Sequence, residues 1–235
     1  MSMSEEVTVI IAAKDAEKWL PQTLQSLLTQ THNDWQCIIS VNGSSDRTHE
    51  IAESTCDSRI RVIVSNIANK SCAVNRAIIS CTTPLVCILD ADDIWHPSKL
   101  ETQLSAMEGS NLSVLGTQMI YIDELGNESS NAPTLPLESK ECYKWLMSKN
   151  NPLANSSVMY RREIHDLIGY YDPEKFAVED YDMWMRCMRA GLRMGNCEDR
   201  MLLHRLYSSS SFNSSNKQKA MKHLVDEINT FYSHF

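Results

Sequence analysis

The chain has 235 residues, 43% of them hydrophobic and 22% charged, with a formal net charge of -8. That length suits one large domain, and a chain of this size buries roughly 70% of its unfolded surface without disulfide or metal staples. The composition excludes collagen-like and disordered proteins, and the acidic balance argues against a nucleic-acid binder, whose affinity rests on Lys and Arg neutralising phosphates.

In chain order, apolar runs at 7–13, 36–41, 60–64 and 85–89 read as strands. They alternate with helical patterns, the rhythm of parallel strands joined by crossover helices. Trp19, Leu20, Leu24, Leu27 and Leu28 fall on one helical face after the first run, with Pro21 suited to a first turn, and 46–55 and 71–81 repeat that role. A Pro97-led helix runs through about Met107, followed by a β-branched strand over 113–122 that turns near Gly126-Asn127. The rest is less regular: a polar loop at 128–137, a helix near 139–148, a strand near 156–160, a helix from about 179 to 190 and a strand near 193–204. A Ser-rich stretch at 208–217 precedes a last helix carrying Met221, Leu224, Val225, Ile228 and Phe231. That stretch is expected to be a flap over a bound ligand or a plain linker. No apolar run approaches the roughly 18 residues needed to span a bilayer. The start, Met-Ser-Met-Ser-Glu-Glu, has no secretory pattern, so a cytoplasmic protein is expected, with peripheral attachment to a membrane as a second placement. The eight cysteines contain no C-x-x-C pair and read as buried thiols.

Ligands of open α/β sheets bind at the carboxyl ends of strands. Three such ends carry polar side chains: Lys14-Asp15, Asn42 through Asp46, and Asp90-Ala91-Asp92-Asp93. Three carboxylates within four positions repel one another, and a hard divalent cation bridging them to substrate phosphates removes that repulsion. The alternative is a helix start, with Asp93 or Ser98 as the cap. Glu179-Asp180-Tyr181-Asp182 opens the helix at 179, where the acids are either dipole partners or a base that takes a proton from an incoming hydroxyl.

Together these motifs resemble glycosyltransferase family 2, nucleotide-sugar enzymes of the GT-A fold. The likeness runs through Val7–Ile11 with Gln30-Thr31, Gly43–Thr48, Leu89–Trp95 with Pro97, Lys99-Leu100-Glu101 and Gln103, then Ser157–Arg161, Gly169–Asp172 and Glu179–Arg186 with Gly191. The resemblance implies an α/β fold with a mixed, mainly parallel central sheet flanked by helices in a single domain. Residues 1–107 would form the nucleotide-sugar-binding half, 108–207 the acceptor-side half, and 208–235 a Ser-rich loop and terminal helix. It further implies a metal-dependent, inverting, non-processive transfer of a sugar from a nucleoside diphosphate sugar to an acceptor hydroxyl. Asp180 would be the catalytic base. Ala12, Lys14, Asp15, Asn42, Lys70, Asp90, Ala91, Asp92 and Arg205 would bind the donor, and Trp95 and Glu179 would lie on the acceptor side. Asp92 and Asp90, with His204 as a further ligand, would hold Mn²⁺ or Mg²⁺.

Where the family usually places Pro-x-Tyr-Asn, this chain has Ala12-Ala13-Lys14-Asp15, and where the second strand usually ends in Asp it has Asn42. The donor base contact is therefore altered, with a UDP- or dTDP-sugar still favoured. Expected acceptors are glycan, lipid-linked or protein-linked, with no nucleic-acid partner and the oligomeric state left open. Two other readings remain: a degenerate relative that binds nucleotide or glycan without turnover, and a nucleotidyltransferase, disfavoured by the lack of a Gly-rich phosphate loop.

Overall fold

A computed structural model describes residues 7–207. The Ser-rich stretch and the terminal helix lie outside the described residues. The first half forms β1 (Val7–Ala13), α1 (Leu20–Leu28), β2 (Trp35–Asn42), α2 (Thr48–Glu53), β3 (Ile60–Ser65), α3 (Lys70–Ile79) and β4 (Leu85–Ile88). β1 is flanked by β2 and β4, and β3 lies outside β2, all in parallel register. Alternate β1 residues serve two layers. Val7, Val9 and Ile11 pack with Leu20, Leu24 and Leu27 of α1, while Ile10 faces Val74, Ala77 and Ile78 of α3. Burial on both faces is why these strands read as continuous apolar runs.

The chain continues through β5 (Ile94–Trp95), α4 (Lys99–Met107), β6 (Val114–Ile122), β7 (Glu128–Ser129) and α5 (Ser139–Met147). A 3-10 turn (Asn155–Ser157), β8 (Met159–Arg161), α6 (Ile164–Ile168), α7 (Glu179–Arg189) and β9 (Met194–Arg205) complete the described part. The nine strands of the described residues make one mixed sheet, ordered β3-β2-β1-β4-β8-β6-β9-β5, with β7 pairing to β6. Its long ladders are parallel; β8, β5 and β7 pair antiparallel over two or three residues.

Two glutamines join the layers. Gln30 donates to the carbonyls of Ser26 and His96 and accepts from Leu100 N–H, supplying a partner for a free donor at the start of α4. Gln103 donates to the carbonyls of Leu115 and Ser157 and accepts from buried Lys99, whose ammonium lies 3.7 Å from the Trp95 ring centroid. Gly116 of β6 leaves the space that the Asn196 side chain of β9 fills. The Asn196 amide donates to the carbonyls of Pro136 and Pro152 and so fixes two loops of the second half.

The structure corrects four expectations. The strand expected at 156–160 is a 3-10 turn followed by a strand at 159–161. Neither proposed cap holds for α4: Ser98 occupies the N-cap position without a side-chain capping bond, its hydroxyl bonding His96 Nδ1 instead, and Asp93 is buried in a different role. β5, β7 and α6 are two to five residues long, too short for periodicity to reveal. Among the cysteines, Cys56 is exposed and Cys72 and Cys197 are half-buried, while the other five are buried.

Candidate active site

The carboxyl ends of β1, β2 and β4 open onto one edge of the sheet. The loops after β1 and β2 are joined by hydrogen bonds. Asp15 accepts from Ser45 N–H at 2.8 Å, Asp46 accepts from Glu17 N–H at 3.0 Å, and Thr48 Oγ1 accepts from Ala16 N–H at 2.7 Å. Asp15 sits at φ 47, an uncommon left-handed conformation for a residue with a side chain. Lys14 and Ser45 hold its carboxyl down at about 2, with Lys14 paired at 2.6 Å and half-exposed. Ala12 lies on β1 in register with Ser40. Asn42 ends β2 with 3% of its surface exposed, and its buried side-chain oxygen has no hydrogen-bond partner.

The turn after β4 gathers Asp90, Asp92 and Asp93. Asp90 N–H donates to Ser156 Oγ at 3.0 Å, and its carboxylate meets Lys70 Nζ at 2.6 Å. Ala91 is buried between the acids. Asp92 accepts from the Tyr207 hydroxyl at 2.8 Å. Burial first, and then the charges of Asp93 and Asp90, push the Asp92 carboxyl up to about 6, against the pull of Tyr207 and Lys70. Asp93 is fully buried and accepts from Arg205 N–H at 2.8 Å and from His204 Nδ1 at 3.0 Å. Its burial would raise the carboxyl, but His204 and Arg205 outweigh that and hold it low.

Facing this turn is the start of α7. Ala177, at φ 64, turns the chain into Val178, and Glu179 and Asp180 occupy the first turn of the helix. Asp180 accepts from Asn151 Nδ2 at 2.7 Å and from Tyr181 N–H at 2.8 Å. Glu179 lies 4.0 Å from Lys70; burial raises its carboxyl, with Lys70 opposing. Burial disfavours the Lys70 charge, yet Asp90, Glu179 and Asp180 together hold the ammonium well above its ordinary value. Lys70, first residue of α3, is therefore the cation between the two acidic regions. Asp182 turns away to pair with Arg186 at 2.8 Å.

Three residues read as ligand contacts have partners within the protein. Trp95, read as acceptor-side, is 2% exposed and donates its ring N–H to Ser156 O at 2.7 Å, so it belongs to the core. Arg205, read as a donor contact, is buried. All three guanidinium nitrogens bond within the protein, to Asp92 O, Asp123 O and Gln22 Oε1, and the group lies 4.2 Å from the Trp19 ring centroid. It positions the Asp92 backbone. His204, read as a metal ligand, is paired through Nδ1 with Asp93; burial opposes its charge, but Asp93 raises the imidazole to about 9. Sequence reasoning missed Tyr207, Ser156 and Asn151, which touch the site across 66 to 115 positions or from a plain polar loop, and no local pattern marks them.

The remaining carboxylates suit a hard cation. Asp92 is buried beside like charges, and both it and Asp90 offer oxygen ligands. Among the described residues no cluster of three or more His, Cys, Asp or Glu is arranged to hold a metal unaided. Diphosphate and water oxygens would have to complete the shell, as is usual for Mg²⁺ beside phosphates.

A profile described as Glycosyl transferase family 2 matches residues 8–169, more than half of the chain. The chain is 28% identical over 227 residues to the UDP-Glc:alpha-D-GlcNAc-diphosphoundecaprenol beta-1,3-glucosyltransferase WfgD of Escherichia coli, covering 96% of this chain and 86% of that one. Among solved structures, TarS 1-349 of S. aureus in complex with UDP-GlcNAc aligns with a TM-score of 0.75 at 17% identity, over 94% of this chain and 65% of that one. The mannosyltransferase PcManGT of Pyrobaculum calidifontis, in complex with GDP-Man and Mn2+, aligns with a TM-score of 0.68 at 15% identity, over 89% and 59%. The chain thus spans less than two thirds of the length of these solved structures, which share its fold. It belongs to glycosyltransferase family 2 and is a glycosyltransferase of GT-A architecture.

Proposed function

We propose that this family 2 glycosyltransferase moves one sugar at a time from a UDP- or dTDP-sugar to an acceptor hydroxyl, with inversion at the anomeric carbon and with Asp180 as the base. The observation that carries the reading is the placement of Lys70 between Asp90, at 2.6 Å, and Glu179, at 4.0 Å, which brings the acidic turn of the first half and the helix start of the second within reach of one side chain. A donor diphosphate at the turn and an acceptor at Asp180 then have opposite sides of one anomeric carbon to approach. Asp92 and Asp90 would hold Mn²⁺ or Mg²⁺, which when bound supplies the charge that lets a diphosphate lie beside carboxylates and depart as an anion. Asp180, oriented by two hydrogen bonds, takes the hydroxyl proton as the oxygen attacks.

The unpartnered oxygen of Asn42 supports a pyrimidine donor, because the imide N–H of uracil or thymine supplies the missing donor. Lys14 stands at the rim in place of a stacking ring, its stem able to lie along the base. Of the acceptor classes, glycan, lipid-linked or protein-linked, the likeness to WfgD, named for a GlcNAc-diphosphoundecaprenol acceptor, supports a lipid-linked glycan. Work in the cytoplasm, with any membrane contact peripheral, belongs to this reading; no helix among the described residues is long and apolar enough to cross a membrane.

A thermal-shift panel of nucleotide sugars with and without Mn²⁺, followed by product analysis by anomeric NMR, tests it. A ligand that binds only the folded state raises the melting temperature. The expected result is a shift with uridine or thymidine donors that chelator abolishes, and a product of inverted configuration. Equal shifts in chelator, or retained configuration, overturn it.

A further inference from the structure

We propose that Asn151 is a positioning residue that fixes the Asp180 carboxylate for proton removal, an inference resting on the assignment of Asp180 as base. A carboxylate in the first turn of a helix has several open rotamers. One of the bonds holding Asp180, from Tyr181 N–H, comes from its immediate neighbour and constrains the side chain weakly. The other, from Asn151 Nδ2 to Oδ2 at 2.7 Å, comes from 29 positions earlier in the chain and sets its direction.

Asn151 is itself held. Its side-chain oxygen accepts from Leu153 N–H at 3.3 Å, which turns its amide nitrogen toward Asp180. The loop that carries it leaves α5 through Lys149 at φ 68, is tied back by Asn150 N–H to Trp145 O at 2.9 Å, and is anchored by the Asn196 amide on Pro152 O at 2.9 Å. The Tyr181 hydroxyl bonds Leu146 O and locks the end of α5 to α7, so loop and base move as one body. The donor is neutral, which suits the role. Lys70 and Glu179, the charged groups beside Asp180, already set the local field, and an amide orients a carboxylate without adding a second cation against the arriving proton. A carboxylate has about four lone-pair sites. Two are used here, which leaves room for the acceptor hydroxyl.

The test compares N151A, N151D, D180N and the double variant N151A/D180N. N151D keeps the side-chain acceptor for Leu153 N–H but replaces the donor facing Asp180 with a carboxylate. Turnover is read as UDP released from UDP-glucose or UDP-N-acetylglucosamine with Mn²⁺, whichever the wild type consumes faster, and UDP affinity by calorimetry. Crystal structures of N151A and N151D with UDP and Mn²⁺ report where Asp180 points. The expected result is a kcat lower by roughly tenfold or more in both single variants, the scale of a small misplacement of a reacting group. KM and UDP affinity stay within about twofold, Asp180 is displaced in both crystals, and the double variant is no slower than D180N. A normal kcat in N151D beside a slow N151A would assign Asn151 to the loop alone and overturn the proposal. So would an undisplaced Asp180, or a further loss in the double variant. If D180N itself turned over at the wild-type rate, the base assignment would fall, and this inference with it.

Discussion

Two acidic regions face each other in this molecule and are held in opposite ways. The turn after β4 places Asp92 and Asp93 in the interior, where each is satisfied by a group from the far end of the chain: Tyr207, His204 and Arg205. The start of α7 keeps its acids at a helix N-terminus, partnered by Asn151, Lys70 and, for Asp182, the next turn of the same helix. Burial, with the like charges of Asp93 and Asp90, raises Asp92 against the weaker pull of Tyr207 and Lys70, a charge cost that a bound cation would relieve. A helix N-terminus already favours negative charge. The comparison teaches that the turn draws its partners from distant chain, whereas the helix start draws them from a neighbouring loop, from Lys70 and from its own next turn.

The contrast breaks most visibly at Asp93. Removing one partner of a buried ion pair strands the other, so Asp93→Ala should lose about 3 to 5 kcal/mol of stability by urea denaturation, whereas Glu179→Ala should lose less, because Lys70 keeps its 2.6 Å pair with Asp90. Similar losses for both would erase the distinction.

Lys99 sharpens the same contrast from beneath the turn, since its buried ammonium has Gln103 and the Trp95 ring but no carboxylate partner. Burial brings it down to about 8 from an ordinary 10.5. Between those values the unfolded chain binds a proton that the folded chain has released, so stability rises with pH through that window, by up to roughly 3 kcal/mol. Denaturation of wild type and Lys99→Met across pH 7 to 11 should diverge accordingly. Parallel curves would mean that the Lys99 site is not dry.

For chemistry, Asp180→Asn should keep nucleotide affinity and lower kcat by about 10²-fold. Asp92→Asn should instead weaken Mn²⁺-dependent UDP binding, by tenfold or so, with little binding left to lose in chelator. Calorimetry and kinetics together check the pair; a variant at Asp180 that lost UDP, or one at Asp92 that kept it, would exchange the roles. Smallest is Asn42→Ala, which should cost UDP about 1 kcal/mol, one hydrogen bond, and leave ADP affinity unchanged. Equal loss for both nucleotides would remove Asn42 from base recognition.

Much of this architecture is legible in the chain. β1 through β4 and their helices lie within a few residues of the apolar runs, because strands buried on both faces are continuous in sequence. The clustering of Lys70, Asp90, Asp92 and Glu179 also follows from their places after strands and at helix starts. The placements of Trp95 and Arg205 were hidden because burial, not residue type, decides them. An Arg at a strand end reads as a phosphate ligand until its three nitrogens are seen on Asp92 O, Asp123 O and Gln22. Asn151 was silent for a different reason: Lys-Asn-Asn-Pro is ordinary turn composition, and only the packing of α5 on α7 brings it to a carboxylate.

The pairing of Asp93 with His204 and Arg205 also orders events in time. Its partners lie 111 and 112 positions downstream, and that of Asp92 lies 115 positions away. Contacts of such separation form late, because the intervening chain must be brought into place before they can be made. During synthesis, β1 to β4 can assemble while β9 is still being added, with their acidic turn still exposed to water. The arrival of β9 seals it, so the acidic turn takes its final form only when folding of the described region is complete.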